Sequence, residues 1–518
     1  MKHVLPVAVA SVAVALAGGI AGCTSASPQA PATSPANSSG PASAASSLSW
    51  HSCTAQGASL RCASLKVPLD YRHPGGRKIT LALSEAPATA PASKRQGVLL
   101  VNPGGPGGSG LSLAAFVADG LDPSVAAEYD IIGFDTRGVG SSVPALHCDP
   151  SFFSQARPDY IPATAADERV LTSRAKAYAA DCEKRYGWLL PFMTTADIAR
   201  DMDSIRSALG QQKISYFGYS YGTYIGQVYA TLFPHRVHRM VLDSTVGPNG
   251  VWWTDNLDQD YAFQGRIQAF YAWVAKYHGV YHLGNTAAQV KRNWYAARAD
   301  LEAHPVPGPS GRPLIGPDEW DDTFLIGGYD NGYWPGLATA FAAYLRGRST
   351  SQLVAQYQQE GTQNENEFAV YNAVECSDVN WPRSWATWNS ATRKVYKTAP
   401  FEAWDNTWFN AACAFWPVKG PAKPMQIKGA GLPGILMLQG NLDAATPYAG
   451  AQAAHRLLPS ARMVVVEGSG NHGQSLARPP DACVNGYLNR YLATGALPQH
   501  PGPVNATCPA LPDPTSAS

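Results

Sequence analysis

The stretch Lys213-Ile214-Ser215-Tyr216-Phe217-Gly218-Tyr219-Ser220-Tyr221-Gly222-Thr223-Tyr224-Ile225-Gly226-Gln227-Val228-Tyr229-Ala230 decides the fold. Its first half is a short apolar run of strand character, and its second half has helical periodicity. Between them stands Gly-x-Ser-x-Gly. Five residues with three fixed arise often by chance, but a strand before them and a helix after them turn the match into a nucleophile elbow. The two glycines remove side chains where the turn is tightest and leave the Ser220 hydroxyl strained and exposed. The helix that follows aims backbone N–H groups and a partial positive charge at developing negative charge.

Such an elbow requires an oxyanion hole from an earlier loop. Val101-Asn-Pro-Gly-Gly-Pro-Gly-Gly-Ser-Gly110 follows a predicted strand and supplies one, since its glycines let backbone N–H groups approach a substrate oxygen. The expected donors are Gly105, with Gly104 as the alternative, and Tyr221. No Gly-Lys-Ser/Thr ending follows, so the loop does not read as a phosphate cradle. An acid and a histidine belong downstream, in the order Ser, Asp, His. Asp443 lies in Gly440-Asn-Leu-Asp-Ala-Ala-Thr-Pro447, just past a predicted strand, and His472 lies in the glycine-flanked turn Gly468-Ser-Gly-Asn-His-Gly473 past the next. In that set His472 is the base toward Ser220, Asp443 orients it, and an acyl-enzyme on Ser220 is released by water.

The surrounding pattern agrees with a mostly parallel α/β sheet flanked by helices. Predicted strands are 79–84, 98–102, 129–134, 214–218, 239–243, 435–439 and 462–466, several of them almost wholly apolar, as strands covered on both faces should be. Helices are predicted at 196–209, with Thr194 or Thr195 as N-cap, after Tyr221, and around 484–492. The strand pattern lapses between about 250 and 430, a region that carries 12 of the 14 tryptophans. It reads as an inserted helical cap. The expected organisation is therefore a core at 49–249 and 431–518, interrupted by a cap at 250–430.

With 39 basic against 38 acidic residues the net charge is +1, which excludes an electrostatic nucleic-acid binder. Residues 1–22 read as an export signal: Lys2, an apolar run from Val4 to Leu16, then small residues. Ile20-Ala-Gly-Cys23 resembles a bacterial lipobox, with Cys23 as the lipidated residue; a plain secretory signal is the alternative. Residues 23–48 are rich in Ser, Ala and Pro and suit a tether. Setting Cys23 aside leaves Cys53, Cys62, Cys148, Cys182, Cys376, Cys413, Cys483 and Cys508, which an exported chain oxidises. Pairing in sequential order is expected, because short loops close most readily. No C-x-x-C spacing points to zinc, and no metal or organic cofactor is expected.

Taken together, Asn102-Pro-Gly-Gly-Pro-Gly-Gly-Ser109, Phe134-Asp-Thr-Arg-Gly-Val-Gly-Ser141, Gly218-Tyr-Ser-Tyr-Gly222, Leu242-Asp-Ser-Thr-Val-Gly-Pro248, Ala373-Val-Glu-Cys-Ser-Asp378, Asp443-Ala-Ala-Thr-Pro447 and the His472 turn resemble the exported tripeptidyl aminopeptidases. These are relatives of prolyl iminopeptidase within the α/β-hydrolase fold. The similarity runs from about residue 50 to 510, with the last hundred residues like that family's C-terminal module. Two departures stand out: Ala444-Ala445 replace the usual Pro-Val after the acid, and Asn471 intervenes between glycine and histidine. Asp135 and Arg137 read as a buried turn brace.

The resemblance implies removal of short peptides from a free N-terminus; the leader and cysteines place the body outside the cytoplasm, meeting the membrane only through its lipid anchor, and a monomer is expected. An exopeptidase needs a carboxylate for the substrate ammonium, and Glu375 and Asp378 are the candidates, against the alternative that both are solvated surface charges. The cap aromatics are candidates for apolar or prolyl pockets, with no tryptophan singled out. Fold and triad leave the leaving group open, so a carboxylesterase or lipase remains an alternative. So does an inactive surface-binding lipoprotein. Epoxide or haloalkane hydrolysis is disfavoured, because those relatives carry aspartate where Ser220 stands.

Overall fold

The computed structural model describes residues 48–153, 157–248, 253–308 and 311–517; Cys23 and the predicted leader and tether up to residue 47 lie outside them. Its strands are β1 (His51–Ala55), β2 (Ala58–Pro68), β3 (Lys78–Ala86), β4 (Gly97–Asn102), β5 (Tyr129–Phe134), β6 (Ile214–Tyr219), β7 (Val237–Asp243), β8 (Val306–Pro307), β9 (Pro313–Ile315), β10 (Ile435–Gly440), β11 (Ala461–Glu467) and β12 (Ala506–Pro509). Ten of them form one sheet in the order β1-β2-β3-β5-β4-β6-β7-β10-β11-β12, while β8 and β9 make a separate ribbon. From β5 to β12 every pairing is parallel. β1, β2 and β3 add an antiparallel edge.

The central strands are apolar on both faces because helices cover both: β4 and β10 bury nearly every residue. The antiparallel edge reads differently. β2 alternates between exposed and buried positions, and the turn into it, Gln56-Gly57, has positive φ at both residues. It is a two-residue hairpin that period-2 patterning could have shown, but an apolar-run criterion passes over it. The helix Ala165–Tyr186 was also missed. It is polar overall and buries only the narrow stripe Leu171, Ala175, Tyr178, Ala179 and Cys182, while Thr164 and Asp167 form its capping box.

After β4 the chain turns outward to β5, and later returns to β6 on the other side of β4. The carboxyl ends of β4 and β6 therefore flank the point where the strand order reverses, which is where open α/β sheets bind ligands. The register sets Asn102 beside Gly218, so the glycine-rich loop and the elbow leave neighbouring strands side by side.

Between β7 and β10 the described chain is helical apart from the β8–β9 ribbon and connecting loops, and its helices bury their apolar faces in two separate places. Residues such as Phe368, Trp381, Trp388 and Trp416 join the cluster under the sheet's own helices. Phe263, Trp294, Trp320, Trp334 and Phe341 instead form a cluster of their own, which reaches the sheet at Ala444 and Ala445. The small residues that replace Pro-Val after Asp443 are thus buried where the insertion rests on the sheet. Four disulfides join Cys53 to Cys62, Cys148 to Cys182, Cys376 to Cys413 and Cys483 to Cys508, each within one local segment.

The Asp135–Arg137 turn is buried. Arg137 makes a bidentate pair with Asp201, at 2.8 Å for both bonds, and donates also to the carbonyls of Leu69 and Phe192. Tyr71 donates to the same carboxylate at 2.7 Å. Asp135 accepts from the Ser109 hydroxyl at 2.6 Å and from the N–H groups of Gly110 and Ser141, so it holds the far end of the glycine-rich loop. Asp201→Ala strands a fully buried guanidinium; we expect urea unfolding to show a loss of about 3–5 kcal/mol, and a loss under about 1 kcal/mol would show that the brace carries little.

Candidate active site

β6 ends at Tyr219, and the helix Tyr221–Leu232 begins two residues later. Ser220 between them has φ 53° and ψ −128°, a conformation a non-glycine residue adopts only where its surroundings impose it. The space around it is tight. A Cβ on Gly218 would lie 2.5 Å from the carbonyl oxygen of Gly222, and one on Gly104 would lie 2.7 Å from both the Tyr219 oxygen and the Tyr221 nitrogen. Gly104, with φ 98°, therefore brings the glycine-rich loop directly onto the elbow. Its own N–H donates to Asn102 Oδ1 at 3.0 Å, which makes the Gly105 N–H the better placed of the two to serve a substrate oxygen.

Asp443 and His472 meet. His472 Nδ1 lies 3.1 and 3.0 Å from the two Asp443 oxygens, and the carboxylate is fixed by the N–H groups of Ala445 and Thr446 and by the Thr446 hydroxyl. An Nδ1–H facing the carboxylate leaves Nε2 as the basic nitrogen. Burial opposes the imidazolium, but the Asp443 charge and hydrogen bond outweigh it, so His472 titrates above its ordinary 6.5.

Asp243, at the end of β7, links this loop to the elbow. Its backbone carbonyl accepts the Ser220 N–H at 3.0 Å. Its buried carboxylate takes the N–H groups of Gln474 and Ser475, at 2.8 and 2.9 Å, and the Ser475 hydroxyl. Beside it, Ser244 Oγ accepts the Gly473 N–H at 2.8 Å. The motif around Asp243 was visible in the sequence, but nothing there indicated that the side chain holds the histidine loop.

One pocket is lined by Ser220, Gly105 and Tyr221 together with Asp255, Asn256, Asp258, Tyr371 and Glu375. The two acidic candidates from the sequence separate here. Glu375 lines the pocket, is only 4% exposed, and its Oε2 has no hydrogen-bond partner. Burial, with Asp378 and Asp255 nearby, pushes its carboxyl well up. It is not a solvated surface charge. Asp378 does not line the pocket. It accepts from the Thr195 N–H at 2.8 Å, from the Thr195 hydroxyl, and from the Tyr221 hydroxyl at 3.0 Å, so its oxygens brace the residue after the nucleophile.

Asp255, which the sequence reading missed, lines the same pocket with Oδ2 unpartnered, and burial pushes it to about 7. In sequence it looks like any acid in a helix's first turn. The pocket aromatics are Tyr221 and Tyr371; its lining includes no tryptophan, and Trp294, Trp320, Trp334, Trp388 and Trp416 are fully buried instead. These five tryptophans therefore pack the interior rather than this pocket.

Residues 97–476 match the α/β-hydrolase fold family. The chain is 41% identical over 464 residues to a tripeptidyl aminopeptidase of Streptomyces lividans, covering 86% of this chain and 84% of that one. It is 30% identical over 468 residues to the serine protease Hip1 of Mycobacterium tuberculosis, covering 86% and 87%. It is also 32% identical over 473 residues to a carboxylesterase B of the same organism, covering 87% and 88%. With the elbow, the parallel sheet and these relatives in agreement, this chain is a serine hydrolase that belongs to the tripeptidyl aminopeptidase family of the α/β-hydrolase fold.

Proposed function

We propose that this protein is a serine exopeptidase that releases tripeptides or similarly short units from free peptide N-termini. The observation that carries the reading is Glu375, a buried carboxylate with an unpartnered oxygen in the same pocket as Ser220. A buried acid without a cation is costly, and a substrate ammonium supplies the missing partner. Asp255 gives that ammonium a second carboxylate. A pocket lined by acids suits a chain that begins there with a free ammonium, and an acetylated N-terminus would leave both acids unmatched.

In this reading His472 Nε2 takes the Ser220 proton as Oγ attacks the scissile carbonyl. Asp443 stabilises the imidazolium, and the N–H groups of Gly105 and Tyr221 hold the oxyanion. His472 then gives its proton to the leaving amine, the acyl-enzyme remains on Ser220, and water activated by the same base releases it. We take residues 250–430 as the cap over this pocket. Four disulfides fit a body outside the cytoplasm, where the Ile20–Cys23 motif would anchor it through a lipid on Cys23.

The test compares a chromogenic tripeptide amide with its N-acetylated twin. We expect cleavage of the free peptide only, lost by on the order of a thousandfold or more in Ser220→Ala. Glu375→Gln should raise KM about tenfold or more while leaving ester hydrolysis near normal. Equal cleavage of both peptides would favour an endopeptidase, and ester cleavage alone would favour the carboxylesterase reading.

The pH dependence divides in the same way. Ester hydrolysis should fall as pH drops through a His472 value above 6.5, because the base must be neutral. For the free peptide, KM should rise in addition as pH drops through about 7, where Asp255 takes up a proton and loses its attraction for the ammonium. A KM for the free peptide that stays flat across that range would count against the acidic pocket.

A further inference from the structure

The insertion does more than cover the pocket, because it grips the turn that carries His472. The His472 N–H donates to the carbonyl of Tyr329 at 2.6 Å, and the Tyr329 ring meets the imidazole edge-on with centroids 5.5 Å apart. Tyr329 is the last residue of the helix Pro317–Tyr329, so the accepting carbonyl is one that the helix cannot satisfy internally. One residue back, Asn471 Oδ1 accepts the N–H of Asn331 at 3.0 Å. Asn471 is the residue that intervenes between glycine and histidine, and its side chain is spent on this contact.

Asn331 is itself held from two sides. Arg266 donates to its Oδ1, and its Nδ2 donates to Asp513 of the C-terminal segment at 2.6 Å. That segment is also tied to the insertion through Trp273, which donates to the Pro514 carbonyl at 2.8 Å. On the far side of the turn, Gln474 donates to the Asn471 carbonyl, and Asp243 fixes Gln474. The turn thus hangs between two supports, the sheet at Asp243 and the insertion at Tyr329 and Asn331.

We propose that the insertion completes the catalytic machinery: Asn331 and the Tyr329 carbonyl hold the Asn471–His472 turn so that His472 is aligned for Ser220 only with the insertion seated. Asn331 and Asn471 are then positioning residues for acyl transfer. A helix carboxyl end next to the imidazole also favours the positive charge that forms there when Ser220 reacts. This inference rests on the triad of the proposed function.

The test measures labelling of Ser220 by a fluorophosphonate, in which the Oγ–P bond forms, the P–F bond breaks with loss of fluoride, and His472 takes the serine proton. Hydrolysis of p-nitrophenyl acetate and of the free tripeptide amide is followed in parallel. Asn471→Ala removes the acceptor. Asn331→Pro removes the donor at the first position of a short helical turn preceded by extended backbone, where proline is tolerated. Asn331→Ala keeps that N–H and controls for the lost side chain.

We expect Asn471→Ala and Asn331→Pro each to slow labelling and ester turnover about tenfold, with KM for the peptide within about twofold of the wild type. Asn331→Ala should slow them less than Asn331→Pro. The double variant should be no slower than either single one, because both remove the same contact. Labelling of Asn471→Ala within twofold of the wild type would overturn the proposal, as would effects that multiply in the double variant. Should Asn331→Pro melt early, Asn471→Ala still decides. A wild-type protein that fails to label would overturn the triad itself, and a labelled one that cleaves only esters would overturn the peptidase reading alone.

Discussion

Asp243 holds the reactive end of the sheet together. Its carbonyl receives the Ser220 N–H, and its carboxylate receives three hydrogen bonds from Gln474 and Ser475. One residue at the end of β7 thereby sets the spacing between the elbow and the histidine loop. The carboxylate is fully buried, and burial pushes it up to about 6, against the hydrogen bonds that favour its charge. Because two of those bonds come from backbone N–H groups, the loop cannot move without leaving an expensive acceptor unmatched. The strained φ of Ser220 persists for the same reason: the glycine-rich loop, β7 and the following helix all converge on it.

Several buried acids are matched by arginine, whereas two acids at the Ser220 pocket are not. Arg157 pairs with Glu319 and Asp322, and Arg298 pairs with Asp159 and Asp321, so these carboxylates are matched inside the protein. Glu375 and Asp255 each keep an oxygen without a partner, and both face the pocket at Ser220. An acid with an arginine beside it explains itself structurally. One that lines the pocket beside Ser220 with an oxygen left over has no such partner inside the protein. Neighbours in sequence divide along the same line: Glu375 faces the pocket, while Asp378, three residues on, is consumed by Thr195 and Tyr221.

The insertion is bonded to the sheet at both partners of the histidine pair. Ala444 and Ala445 are buried against it beside Asp443, and Gln259 donates to the Ala445 carbonyl at 2.6 Å. Tyr329 and Asn331 hold the turn at His472. The C-terminal segment reinforces the arrangement by running from β12 to Asn331, Trp273 and Tyr281. The helices between β7 and β10 thus touch both the Asp443 loop and the His472 turn.

The sequence by itself determined the parts that depend on local order. The elbow at Ser220 shows in a strand, a glycine-bounded turn and a helix; the central strands show as apolar runs because both their faces are covered; Asp443 and His472 stand out as polar groups just past strand ends. The edge hairpin at β1 and β2 was legible in principle, through alternation and a Gln-Gly turn. Other features had no local signature. Asp255 resembles any acid opening a helix, Asp243 any residue of a conspicuous motif, and Asn471 a stray insertion. Asn471 meets Asn331, 140 positions away, and Asp243 meets Gln474, 231 positions away. The tertiary structure alone decided which carboxylate is left unmatched, which glycine N–H is free of the Asn102 side chain, and that the histidine turn rests on the insertion. Those outcomes depend on desolvation and on hydrogen-bond partners brought together across the fold, and neither is a property of any one stretch of chain.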